Sequence, residues 1–197
     1  MEPCFSTIQE IASDALRQIK RDLERTDEYC LLGYSMGALV CYELYYMLKN
    51  TVGRLPKHMF LIASGPPHWD RKMKDYKDAE KQEIIDYIKQ LNGTDSELLE
   101  CDEMLDYLLP IARNDFSAIY HYVPTVSDEK ITCPACVYYG KNDNEIQNCV
   151  LEWSRYFEKK VKFVCFSGDY FFMFRSQSSL RSVAMEIITA MKADIVL

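Results

Sequence analysis

Ser35 is the residue of this sequence best placed to do chemistry. It stands in Gly33-Tyr34-Ser35-Met36-Gly37, a G-x-S-x-G pattern with a short apolar run before it and helical periodicity after it, which is the sequence context of a nucleophile elbow. A serine on so sharp a strand-to-helix turn needs small neighbours, because a Cβ at Gly33 or at Gly37 is expected to crowd the backbone as it reverses. The helix beginning at Met36 would point its free N–H groups at the serine, with the Met36 N–H placed to stabilise an oxyanion. The alternative use of the same pentapeptide is an ordinary serine at a helix N-cap. Cys133-Pro-Ala-Cys136 is a lone CxxC. With no second pair and no nearby histidine to complete a tetrahedral site, no metal is expected there.

The elements that must position Ser35 follow from periodicity. Ser6 and Gln9 have the spacing of a capping box, after which Ile8, Ile11, Ala12, Ala15, Leu16, Ile19 and Leu23 keep helical spacing. Residues 29–32 predict a short buried strand into the elbow. The helix after it carries Leu39, Val40, Tyr42, Leu44 and Leu48, apolar around enough of its circumference to predict burial on more than one side. Residues 59–63 predict a second buried strand, closed by Ser64-Gly65-Pro66-Pro67.

From residue 68 to about 122 strand signals stop and short helical patterns succeed one another. One carries Ile84, Ile85, Ile88 and Leu91, another runs from Asp95 to near Pro110, and a third covers 111–120. A helical insertion between two strands of a parallel sheet predicts a lid over the strands' C-terminal ends, its apolar faces either lining a channel or packing on the body. Strand signals resume over 135–139, followed by a helical pattern with Ile146, Cys149, Val150, Trp153 and Phe157 on one face. A strand over 161–166 and a final helix with Leu180, Val183, Ala184, Ile187, Ile188 and Met191 complete the chain. The alternation predicts one α/β domain over 1–197, with a parallel sheet flanked by helices, right-handed crossovers and a lid at about 68–122.

Composition narrows the function classes. A chain of 197 residues, 48% hydrophobic, has material for one core, and its net charge of −7 argues against a nucleic-acid surface. Neither a basic-then-apolar leader nor an apolar run near the ~18 residues of a membrane span is visible, so a soluble cytoplasmic protein without a membrane partner is expected. Cys30, Cys41, Cys136, Cys149 and Cys165 lie in apolar segments and are expected to be reduced, buried small hydrophobes.

Several ordered motifs carry a family resemblance. The elbow and its continuation Ala38-Leu39-Val40-Cys41-Tyr42-Glu43-Leu44, then Ser64-Gly65-Pro66-Pro67-His68, Asp115-Phe116, Tyr139-Gly140-Lys141-Asn142-Asp143 and Phe166-Ser167-Gly168-Asp169-Tyr170-Phe171-Phe172, together resemble the type II thioesterases of nonribosomal peptide and polyketide synthesis. The resemblance covers nearly the whole chain. It implies an α/β-hydrolase fold with a lid, acting on acyl thioesters held on the phosphopantetheine arm of an acyl or peptidyl carrier protein, in an editing role and with no cofactor of its own. It also implies Ser35 as nucleophile, the Met36 N–H as oxyanion donor and Asp143 as triad acid.

Two departures stand out. Where the family has its triad histidine, before Phe-Phe, this chain has Tyr170, and Tyr34 replaces a histidine that usually precedes the nucleophile. A phenol, with a pKa of about 10, is mainly a donor at neutral pH and cannot take the serine proton as an imidazole does. A substitute base would have to be His68, which follows the second strand, or less plausibly His58, His121 or Asp169; Asp143 could instead accept a hydrogen bond from Tyr170. The family also opens with a strand and a Gly-rich loop that supplies the second oxyanion N–H, whereas this chain starts at the approach to the first helix. The first strands are therefore expected to be missing, leaving a sheet edge for a second copy or another partner to cover. The resemblance thus leaves two readings: a serine thioesterase with slow chemistry, or a non-catalytic homologue that binds acyl groups or proteins.

Overall fold

The computed structural model describes residues 5–91, 93 and 98–193. Helix α1 (Ile8–Leu23) opens on a capping box, one residue later than its sequence spacing suggests. Thr7 Oγ1 accepts from Glu10 N at 3.1 Å, and the Glu10 carboxylate accepts from the N–H groups of both Ser6 and Thr7. Gln9 is displaced from that role because an ionised carboxylate binds two amides more strongly than a neutral amide oxygen can.

Four strands, β1 (Cys30–Tyr34), β2 (His58–Ile62), β3 (Ala135–Gly140) and β4 (Lys162–Phe166), pair in parallel in the order β1-β2-β3-β4. Every residue of β2 is buried, as a central strand covered on both faces requires. Helix α2 (Met36–Thr51) packs between α1 and the sheet and buries Leu39, Tyr42, Tyr45 and Leu48, so it is enclosed on more than one side. Its Glu43, only 1% exposed, accepts from the Tyr122 hydroxyl and from both Thr125 N and Oγ1, so the end of the lid is pinned to the helix that follows Ser35.

The opposite face of the sheet carries α5 (Gln177–Ala193), packed through Val183 and Ala190 on Phe60, Ile62, Cys136 and Tyr138. The elbow strand β1 is an edge strand, with Leu32 exposed on this face. No helix among the described residues is long and apolar enough to cross a membrane.

The lid is built from α3 (Lys81–Leu91) and α4 (Asp102–Tyr120) around its own core of Tyr76, Ile84, Ile85, Leu105 and Leu109. Asp95 and its neighbours lie outside the described residues, but the expected helix end at Pro110 is not there. Helix α4 continues straight through it. A proline interrupts one backbone bond and crowds the preceding turn, a cost that the packing of Leu105, Leu109 and Ala118 on either side offsets.

The helix expected after β3 is also different: residues 150–156 form a 3₁₀ segment preceded by turns. Its threefold period still brings Val150 and Trp153 inward, which is why helical spacing and 3₁₀ spacing were not separable in the sequence. Cys165 corrects the cysteine reading. It is exposed, because β4 is the other edge of the sheet and its outer face is only partly covered.

Candidate active site

The elbow is set by its backbone. Ser35 has φ 55° and ψ −120°, a conformation costly for a residue with a Cβ and retained only where the surroundings enforce it. Here the Ser35 N–H is held by the Ile62 carbonyl at the end of β2, at 2.8 Å. A Cβ at Gly33 would come within 2.1 Å of the Gly37 carbonyl oxygen, so Gly33 must be bare. Gly37 does not share that constraint, contrary to the sequence expectation: a Cβ there meets nothing within 4 Å. The Ser35 side chain makes no capping bond to α2, so the reading as an ordinary N-cap serine fails. Met36 opens α2, where the first-turn amides have no intrahelical acceptor.

Asp143 follows β3 in a loop tied to the next turn by Lys141 N–H to Phe166 O and Asn142 N–H to Gly168 O, each 2.7 Å. Gly140 lies so close to this turn that a Cβ would meet Asp169 O at 2.2 Å. The two loops are therefore tied together and bring Asp143 and Tyr170 toward Ser35. Tyr170 comes beside Ser35; burial raises the phenol's pKa, an effect the serine hydroxyl only partly offsets.

Asp143 is 4% exposed. Burial first, with Glu145 adding, pushes its pKa up to about 6, against the amides of Glu145 and Ile146, which lower it. Its Oδ2 has no hydrogen-bond partner among the described residues. The hydrogen bond from Tyr170 to Asp143 considered from the sequence is not among those the described residues make; the phenol faces the serine instead.

The structure does not bring His68 to Ser35. The Nδ1 of His68 lies 2.8 Å from the Tyr156 hydroxyl and its Nε2 2.9 Å from Glu152, beside a separate 310 Å³ cavity. His121 caps α4 and pairs with Asp75 at 2.7 Å. His58 is buried, stacked on Phe60 with Nε2 3.3 Å from Cys136 Sγ. Asp169 is engaged by Arg175 and by the Phe171 N–H.

Ser35, Met36 and Tyr170 line one cavity of 510 Å³, closed above by Tyr87, Leu91, Phe116 and Ile119 of the lid. The lid thus both packs on itself and lines the space over the serine. None of the three histidines is among the residues lining this cavity. Sequence reasoning noted Tyr34 but gave it no part in the site; its hydroxyl donates to the Tyr170 backbone carbonyl and its ring meets that of Tyr170 edge-on at 5.4 Å. That reasoning overlooked Trp69 and Arg71, which line the cavity from the loop after β2. Charged residues crowd 68–77, and no local signal marks which of those side chains turns inward.

No group of three or more His, Cys, Asp or Glu side chains among the described residues could hold a metal ion. Cys133 and Cys136 pack into different core clusters.

A family model described as a thioesterase domain matches residues 1–191. The gramicidin S biosynthesis protein GrsT of Aneurinibacillus migulanus is 32% identical over 150 residues, 76% of this chain; the chain spans 58% of that relative's length. Among solved structures, ClbQ from the colibactin NRPS/PKS pathway superposes with a TM-score of 0.87 at 21% identity, covering 98% of this chain and 80% of ClbQ. YbtT, a type II thioesterase from the yersiniabactin NRPS/PKS pathway, gives 0.83 at 23% identity, covering 98% and 77%. At those identities the two structures establish a shared fold.

Proposed function

We propose a function from one premise, that this chain belongs to the thioesterase domain family: it is a serine hydrolase of acyl thioesters, working in the cytoplasm on acyl groups carried by the phosphopantetheine arm of an acyl or peptidyl carrier protein. Relatives from gramicidin S and other nonribosomal peptide or polyketide pathways support that substrate class. The observation that carries the reading is the strained φ of Ser35 in the wall of the cavity beneath the lid, because strain of this kind survives where it presents a nucleophile.

In this reading Ser35 Oγ attacks the thioester carbonyl, the Met36 N–H receives the developing oxyanion, and the pantetheine thiol leaves. The acyl-serine is then released by water. The chain needs no cofactor for these steps, since the substrate arrives already activated as a thioester. The slow point is the serine proton. Tyr170 lies beside Ser35, but a phenol whose pKa is raised above its ordinary value is a poor acceptor at pH 7.

The unpartnered Oδ2 of Asp143 favours a second reading, a homologue that binds acyl groups without turning them over, since the acid has no imidazole to orient. Hydrolysis of an acyl-pantetheine thioester by the wild type, Ser35→Ala and Tyr170→His separates the two. Slow release by the wild type, abolished in Ser35→Ala and raised about 10²- to 10⁴-fold in Tyr170→His, supports the hydrolase. Release only in Tyr170→His supports the binding module, and silence from all three removes the hydrolase reading. The edge position of β1 and the exposed Leu180, Ile188 and Met191 of α5 support a homodimer across that face; a monomer in sedimentation at micromolar concentration would exclude it.

A further inference from the structure

Arg71 sits in the loop between β2 and the lid, half-buried, and lines the same cavity as Ser35. Its guanidinium is fixed by three backbone carbonyls: Nη1 donates to Trp69 O at 3.2 Å, and Nη2 to Gly65 O at 3.0 Å and Pro66 O at 3.2 Å. The Trp69 ring lies alongside, 5.6 Å from the guanidinium carbon. These partners orient the fork but cancel none of its charge. No ion pair engages Arg71 among the described residues, although burial holds its pKa below the usual arginine value. The other charged side chains that line the cavity, Asp70, Lys72 and Glu145, are all exposed. Arg54 and Arg113 also clasp backbone carbonyls, but neither lines this space.

A desolvated cation is unfavourable until an anion joins it. A guanidinium already held in place by carbonyls loses little further entropy on receiving one, and its remaining N–H groups suit the planar fork of a carboxylate. The apolar part of the wall is made by Met36, Leu39, Met73, Phe116 and Ile119, beside the polar Ser64, Asn144 and Asn148. This combination selects a short aliphatic group with one negative end.

We infer that the cavity selects acyl groups carrying a terminal carboxylate, received by Arg71 while the thioester carbonyl lies at Ser35. The inference rests on the acyl-thioester reading given above and names the substrate class within it. Arg71 is a specificity residue in this account and takes no part in proton transfer.

The test uses the Ser35→Ala chain, so that nothing turns over, and reads binding by calorimetry and by tryptophan fluorescence, Trp69 being in the cavity wall. The probes are malonyl-, succinyl- and glutaryl-pantetheine, each beside its neutral methyl ester, with and without the phosphate on the arm. At least one carboxylate should bind about tenfold to a hundredfold tighter than its ester, with the gap lost in Arg71→Gln and kept in part in Arg71→Lys. Esters that bind as well as acids throughout, a gap that survives Arg71→Gln, or a gap that follows the phosphate instead of the acyl end would overturn the assignment. The wild-type side chain decides the first and third of these without any variant at Arg71. Esters and acids binding equally would sink the inference alone; no binding by any probe would sink the acyl-thioester reading with it.

Discussion

The nucleophile loop and the acid loop converge at the same end of the sheet, and both are built by close backbone approach. Gly33 lies against the Gly37 carbonyl in one, and Gly140 against the Asp169 carbonyl in the other. They differ in how their side chains end. Ser35 has the Tyr170 phenol beside it, whereas Asp143 keeps a buried oxygen with no hydrogen-bond partner among the described residues. Backbone geometry of this kind is enforced by many contacts at once. The link between acid and serine depends on one side chain, and substituting that side chain breaks the link without disturbing either loop.

The sharpest way to break this comparison is to attack the elbow backbone itself. Gly33→Ala should cost more than about 3 kcal/mol, because its Cβ meets main-chain atoms that cannot step aside. Gly37→Ala should be neutral or stabilising by up to about 1 kcal/mol, the ordinary helix preference of alanine over glycine. Urea denaturation of the pair checks this; equal losses would mean the elbow is not held by the contact described.

On the acid side, Asp143 has a native pKa of about 6 against 3.8 for the free side chain. Its native pKa is raised, so its contribution to stability is full below about pH 4 and is lost as pH rises through about 6. Relative to Asp143→Asn, the wild type should therefore lose up to about 3 kcal/mol between pH 4 and pH 7. Thermal melts of both proteins across that range read the difference. A constant gap would show that Asp143 has its ordinary pKa and a partner after all.

The smallest effect is expected where the two loops touch through Tyr34. Tyr34→Phe removes one hydrogen bond to the Tyr170 carbonyl and should cost about 1 kcal/mol, while leaving the elbow intact. Chemical denaturation gives the cost. A loss of several kcal/mol would mean that Tyr34 supports the acid loop as a whole and that the two arms are one structural unit.

Much of this was legible before any coordinates. The elbow pattern, the buried strands and the α5 periodicity translate into structure by local rules, since strand and helix spacing depend on which residues recur at which interval. The places where reading failed are those where a nonlocal contact outvoted a local one. Helix α4 ran through Pro110 because packing on both sides of the proline sustained it. The capping box is the exception: it moved to Thr7 and Glu10 because the Glu10 carboxylate is a stronger acceptor than the Gln9 amide, a local contest that residue spacing alone does not rank.

The sequence by itself determined the thioesterase fold, the serine on its sharp turn and the absence of a histidine at position 170. Each of these depends on residue type and local spacing. Only the tertiary structure decided that Tyr170 lies beside Ser35, that Asp143 Oδ2 and the Arg71 charge have no partner among the described residues, that His68 belongs to a different cavity, and that Arg71 faces the serine's cavity. Those outcomes depend on distances between segments far apart in the chain, set by how the sheet, the lid and the two loops close on one another, and side-chain identity alone does not specify them.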